Sequence, residues 1–119
     1  MVIVDTSVWV SHFREGNTKL ENLLNNGEVV CHPFVIGELA CGNLKNRNEI
    51  LSLLQSLPMG INADHEEVLE FIGSNQLMGK GLGYVDIHLI ASAMLTGISI
   101  WTHDKKLEQV ANELHISHT

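Results

Sequence analysis

The chain has 119 residues, 45% hydrophobic and 18% charged, with seven basic residues against fourteen acidic ones for a net charge of −7. This composition fits one globular domain over residues 1–119, long enough to bury roughly 60–70% of its unfolded surface without staples. It excludes a disordered chain, and its acidity counts against a basic surface that coats nucleic acid, since phosphate contacts need Lys and Arg.

The two cysteines, Cys31 and Cys41, lie outside any CxxC spacing and are expected as buried free thiols of a reducing compartment. No basic segment opens the chain, and Asp5 interrupts the first apolar run, so no signal peptide is expected. The longest apolar-rich run, Leu89 to Trp101, falls short of the roughly 20 residues that span a bilayer. The expectation is a soluble, cytoplasmic protein without a membrane partner.

In chain order, Val2-Ile3-Val4 is too short and too fully apolar for an amphipathic helix and predicts a buried strand of a parallel sheet. It stops at Asp5-Thr6-Ser7, and a short helical turn follows from Val8 to Phe13. Thr18 and Glu21 have capping-box spacing before Leu20, Leu23 and Leu24, and Gly27 ends that helix. Val29-Val30-Cys31 predicts a second strand, and His32-Pro33 starts a helix running to about Leu44. Asn46 to Leu57 carries leucines at helical spacing until Pro58, and Met59 to Asn62 predicts a brief third strand. Asp64 and Glu67 box the next helix, and the Gly79–Gly83 segment is a flexible loop. Tyr84 to Leu95, apolar nearly all round, predicts a buried helix closed by Gly97. Ile98 to Trp101 is the fourth strand, Lys105 to Leu114 the last helix, and His115 to His118 an edge strand. Short apolar strands alternating with helices give an α/β fold with a mostly parallel sheet of four to five strands.

That topology places the acids. Parallel strands share one carboxyl edge, where ligands of open α/β sheets bind. Asp5 ends the first strand and Asp104 follows the fourth. Glu38 lies early in the helix after the second strand, and Asp86 at the start of the buried helix leading into the fourth. Glu38 and Asp86 each share a helix face with apolar residues, so both are expected to be buried. Unpaired buried carboxylates cost several kcal/mol each, and two of them ~5 Å apart repel by roughly 3 kcal/mol at an effective dielectric near 20. A hard divalent cation relieves that cost, and Mg²⁺ or Mn²⁺ suits oxygen ligands better than zinc. Singly, Asp5, Asp86 and Asp104 also read as helix caps or dipole partners.

Seven histidines form no HExxH or HxH set and read as surface or packing residues. The Gly79–Gly83 loop lacks dinucleotide spacing, and its Lys80 is a candidate phosphate contact.

The strand ending in Asp5-Thr6-Ser7, the helix acid Glu38, the run Val85 to Ala93 around Asp86, and Thr102-His103-Asp104 together resemble the PIN domain. Their order and spacing over essentially the whole chain are similar to the VapC toxins of bacterial and archaeal toxin–antitoxin pairs. The resemblance implies a three-layer PIN-like fold and a Mg²⁺- or Mn²⁺-dependent endoribonuclease. It also implies a homodimer and inhibition by a VapB-type antitoxin. Asp5, Glu38, Asp86 and Asp104 would be the catalytic metal-binding set, supported by Thr6, Ser7 and Thr102. The chain departs from many relatives in carrying Lys105 and Lys106 where a further Asp or Asn often follows the last acid. Setting four metal-bound acids aside from the fourteen leaves ten against seven basic residues, and Lys80, Lys105 and Lys106 are candidate RNA contacts. Three rivals remain: a PIN-like RNA-processing nuclease outside a toxin–antitoxin pair, an acidic non-catalytic binding module, and a receiver-type signalling module. The last lacks its paired acids and its strand-ending Lys.

Overall fold

The computed structural model describes residues 1–118; Thr119 lies outside the described residues. Its sheet is built from β1 (Val2–Val4), β2 (Val29–Val30) and β3 (Ser99–Trp101), all parallel, in the order β2-β1-β3. Helices α1 (Thr6–Glu15) and α2 (Thr18–Asn25) connect β1 to β2. Four more lead to β3: α3 (Pro33–Ala40), α4 (Arg47–Gln55), α5 (His65–Ser74) and α6 (Tyr84–Thr96). The last helix, α7 (Lys105–Glu113), follows β3. The chain leaves β1 for one neighbour and returns to the other side, so the strand order reverses at β1. The carboxyl end of β1 is therefore the switch-point position at which α/β sheets open a crevice, and Asp5 occupies it.

The sheet is narrower than the four to five strands expected. Met59 and Ser117 pair with the sheet at single residues, beside Cys31 and Ile100 respectively. Both segments lie where the extra strands were expected, one on each outer edge. Pro58 lends only its carbonyl to Cys31 N–H, at 2.8 Å, and Gly60 N–H returns to Cys31 O at 2.9 Å. On the other edge, Ile100 N–H donates to Ile116 O and His118 N–H to Ile100 O.

Helix ends shift from their expected positions for local reasons. Helix α1 starts at once after Asp5 and runs to Glu15, longer than a turn. Asn17, not Thr18, caps α2, its Oδ1 accepting from Leu20 N–H at 2.9 Å. Helix α3 stops at Ala40, short of Leu44, and Asn46 enters α4 in a left-handed conformation at φ 53°. The Asp64–Glu67 capping box of α5 is present on both sides. Cys31 is buried and its thiol is pushed up to about 11, chiefly by desolvation, whereas Cys41 is exposed at the end of α3, contrary to expectation.

The strand residues other than Ser99, with Val8, Trp9, Leu20, Val35 and Leu107, join the interior of α6 in one buried cluster. From Ile87 to Ala93 every residue of α6 is buried, including His88 and Ser92. No helix among the described residues is long and apolar enough to cross a membrane.

The core also holds His32, with no exposed surface. Its Nδ1 accepts from Phe34 N–H at 3.0 Å, capping α3, while Nε2 is buried without a partner among the described residues. Burial first, and His88 second, push its pKa down to about 4 from 6.5. The unfolded chain thus binds the extra proton between those values, so stability is full above pH 6.5 and falls as pH drops towards 4. The ceiling on this loss is about 3 kcal/mol. His88 and His118, also held below their ordinary values by desolvation, add loss in the same direction. Urea midpoints measured from pH 7 to 4 should fall more steeply for the wild type than for His32→Asn, which keeps a cap acceptor but cannot titrate.

Candidate active site

Asp5 is the one fully buried member of the acidic set, held by two hydroxyls. Ser7 Oγ donates to Asp5 Oδ2 at 2.7 Å, and Thr102 Oγ1 donates to the same oxygen at 2.8 Å from across the sheet. Each hydroxyl has a single proton, so the 3.3 Å Ser7–Thr102 approach is packing around a shared acceptor and not a further bond. Their lone pairs are used too: His103 N–H donates to Ser7 Oγ and Asp104 N–H to Thr102 Oγ1, both at 3.0 Å. The ends of β1 and β3 are thereby tied through the Asp5 carboxylate.

The other acids ring this point. Thr6 Oγ1, one residue beyond Asp5, donates to Glu38 Oε1 at 2.7 Å, bringing α3 onto the start of α1. Asp86 Oδ2 accepts from Gly83 N–H at 3.0 Å at the head of α6. Asp104 Oδ1 accepts from Leu107 N–H at 2.9 Å and caps α7. Desolvation first holds the Asp86 carboxyl above the usual range, opposed by the Gly83 N–H bond. The charges of Asp5, Asp104 and Glu38 then raise it further. The four carboxylates therefore share one field although they come from four distant stretches of sequence.

Burial differs from expectation. Glu38 and Asp104 are exposed and Asp86 is half-buried, so the acids line an open mouth above Asp5. Solvent screening makes their mutual repulsion smaller than a closed pocket would impose. Among the described residues no three Asp, Glu, His or Cys side chains stand close enough together to enclose an ion as they are. The donor set nonetheless suits a hard cation. Asp5 and Asp104 do act as helix caps, yet each of the four acids uses one oxygen for protein donors and has no partner on the other among the described residues. Oxygens left free on preoriented carboxylates are what Mg²⁺ or Mn²⁺ takes.

The lysines are less convergent. Lys80 pairs with Glu113 at 3.2 Å, at the far end of α7, nine residues or about 13 Å along the helix from Asp104. The Lys106 arm lies over Gly81, where a Cβ would come within 2.9 Å of it. Lys105, next to Asp104, is exposed at the head of α7. Not anticipated from sequence is an open groove of about 670 Å³ running from Glu38 between α1 and the α3–α4 turn, with Phe13, Arg14, Leu44, Lys45 and Ile50 in its lining. Its residues are scattered over forty positions with no periodicity of their own, so only the fold assembles them.

Thr102 is the residue on which the network depends. Thr102→Val keeps the shape but removes the donor to Asp5 and strands Asp104 N–H, a loss of about 1–3 kcal/mol. By misplacing two acids it should lower catalysis by roughly 10–100-fold, the usual size for partners of metal-binding side chains. Thermal unfolding and initial rates measured on the same preparation check both.

A family model for the PIN domain matches residues 2–113. Ribonuclease VapC32 of Mycobacterium tuberculosis, in both the CDC 1551 / Oshkosh and H37Rv strains, is 44% identical over 114 residues, spanning 95% of this chain and 92% of the relative. Among solved structures, that of PAE2754 from Pyrobaculum aerophilum superposes with a TM-score of 0.60 at 17% identity, over 91% of this chain and 77% of the other, a likeness of fold. Motif order, strand order and these matches agree: the chain belongs to the PIN-domain family, in its VapC-type branch.

Proposed function

We propose that this protein is the toxin ribonuclease of a toxin–antitoxin pair, cutting RNA at a cation held by Asp5, Glu38, Asp86 and Asp104. The single observation that carries the reading is the free oxygen on each of four carboxylates whose other oxygen is already fixed by a protein donor. When bound there, Mg²⁺ or Mn²⁺ acidifies water and offsets charge on the phosphoryl and departing oxygens. The chain's own residues supply the orientation. Ser7 and Thr102 hold Asp5, Thr6 holds Glu38, and the Leu107 and Gly83 amides hold Asp104 and Asp86. Asp5 or Asp104 orients the attacking water and accepts its proton. Water adds to phosphorus as the bond to the 3′ oxygen breaks, and that oxygen takes a proton from solvent, leaving a 5′ phosphate and a 3′ hydroxyl.

The name and 44% identity of the mycobacterial relative favour RNA as substrate and a VapB-type antitoxin as partner. The groove beside Glu38, apolar with Arg14 and Lys45 in its lining, suits a segment of such a partner reaching the acids. The VapC-type relationship favours a homodimer, and exposed Leu53, Ile61, Leu69 and Leu95 are apolar side chains available to a second copy. A cytoplasmic site of action follows from an RNA substrate. Lys105 is the lysine best placed to meet a phosphate beside the acids. Incubating the protein with total cellular RNA, with and without chelator, and mapping new 5′ ends tests the reading. Discrete 5′-phosphorylated ends that vanish with chelator are expected, and RNA left intact in Mg²⁺ and in Mn²⁺ would refute it.

A further inference from the structure

Tyr84 is the chain's only tyrosine and opens α6, two residues before Asp86. It is 43% exposed and yet fixed on several sides. Its hydroxyl lies 2.6 Å from His65 Nδ1 at the head of α5. Its ring meets the His88 ring edge-on, with centroids 4.6 Å apart and planes at 83°. His88, 3% exposed, is met from another side by Phe34 at 4.5 Å. Phe34 is the second residue of α3, four before Glu38. A rim of packed aromatic rings therefore runs from the head of α3 to the head of α6, the two helices that carry Glu38 and Asp86. Packing alone would have drawn an aromatic ring under cover, and a free surface ring would lose entropy on being ordered by a ligand. Tyr84 is neither covered nor free.

We propose that the exposed face of Tyr84 is a stacking platform for a nucleobase of single-stranded RNA next to the phosphate at the acids, a placement that rests on the ribonuclease reading. Tyr84 and Asp86 lie two residues apart in the first turn of α6, so their side chains leave it on roughly opposite sides. RNA joining them crosses the open N-terminal end of the helix, a width of about 10–12 Å or one to two nucleotides. Stacking on an aromatic ring holds any base and needs no positive charge. That suits a chain of net charge −7 whose loop lysine is already paired with Glu113. His65 acts as a positioning residue, holding the phenol so that the ring plane is set before RNA arrives.

The single tyrosine permits a direct test. Cys41, an exposed thiol that tetranitromethane oxidises, is first replaced by Ser. The nitrotyrosine absorbance formed by the reagent then reports on Tyr84 alone, and in Asp5→Asn the RNA stays whole. A short mixed-sequence single-stranded RNA should slow nitration of that protein several-fold. A rate unchanged by RNA, or a ring already protected in its absence by a second copy, would overturn the proposal. In cleavage kinetics, Tyr84→Ala should raise KM by roughly tenfold with kcat nearly unchanged. Tyr84→Phe should keep a near-wild-type KM, and Tyr84→Leu should side with Ala. A leucine that matches the wild type would mean that only bulk is needed, against a stacking role. Absence of cleavage by the wild-type chain would count against the ribonuclease reading, and the nitration arm judges stacking without it, because it requires RNA bound and not cut.

Discussion

Asp5→Asn should lower RNA cleavage by at least about 10³-fold while leaving the protein folded. The estimate takes as its floor the effect of deleting one preorganised charge-stabilising group, since this substitution removes a full negative charge from the proposed cation site. The folded state should be spared because the amide oxygen can still accept from Ser7 Oγ and Thr102 Oγ1, the two bonds that join β1 to β3 at this edge. One carboxylate fewer also weakens the repulsion that helps raise the Asp86 pKa. In metal-free buffer the variant should therefore melt at or above the wild-type temperature. Melting several degrees lower, with cleavage intact, would make Asp5 a helix cap and nothing more.

The largest stability effect is expected away from the acids, at Gly60. A Cβ built there would lie 2.4 Å from Ser92 Oγ and 3.1 Å from Ile3 Cδ1. Ser92 is buried in α6 and Ile3 is the centre of β1, so neither neighbour has room to withdraw. Gly60 also gives its N–H to Cys31 O, which pins the edge segment to the sheet. Gly60→Ala should cost about 2–3 kcal/mol through overpacking, or a fall of roughly 10 °C in Tm. Because Ile3 lies two residues before Asp5, cleavage at low temperature reads whether the strain travels along β1. A Tm within about 2 °C of wild type would show that α6 gives way at Ser92.

The parallel sheet and its flanking helices were legible in the sequence, and the width of the sheet was not. Asp5, Glu38, Asp86 and Asp104 were placed on one edge by strand direction alone, and the shared field at Asp86 agrees with that placement. Strand direction says nothing of depth: Glu38 and Asp86 were expected to be buried, and they are exposed and half-buried. Glu38 lies in the second turn of α3 on its solvent side, and Asp86 in the first turn of α6, where cover is partial. Met59–Asn62 and His115–His118 were recognisable as extended, but a short segment on an outer edge can close its bonds around one residue, here Cys31 or Ile100, without a ladder. The Lys80 pairing with Glu113 depends on how a glycine-rich loop folds over α7, which no local pattern encodes. The Thr18 box lost to Asn17 because a cap one residue earlier gave Leu20 N–H a side-chain acceptor at 2.9 Å.

The central claim is that four fixed carboxylates offer their free oxygens to one kind of ion. Calorimetric titration of the wild type and of Asp5→Asn with Mn²⁺, without RNA, addresses it most directly. The wild type should show saturable binding and a matching rise in Tm, both greatly weakened in the variant. Identical titrations for the two proteins, or no saturable heat from the wild type, would contradict it.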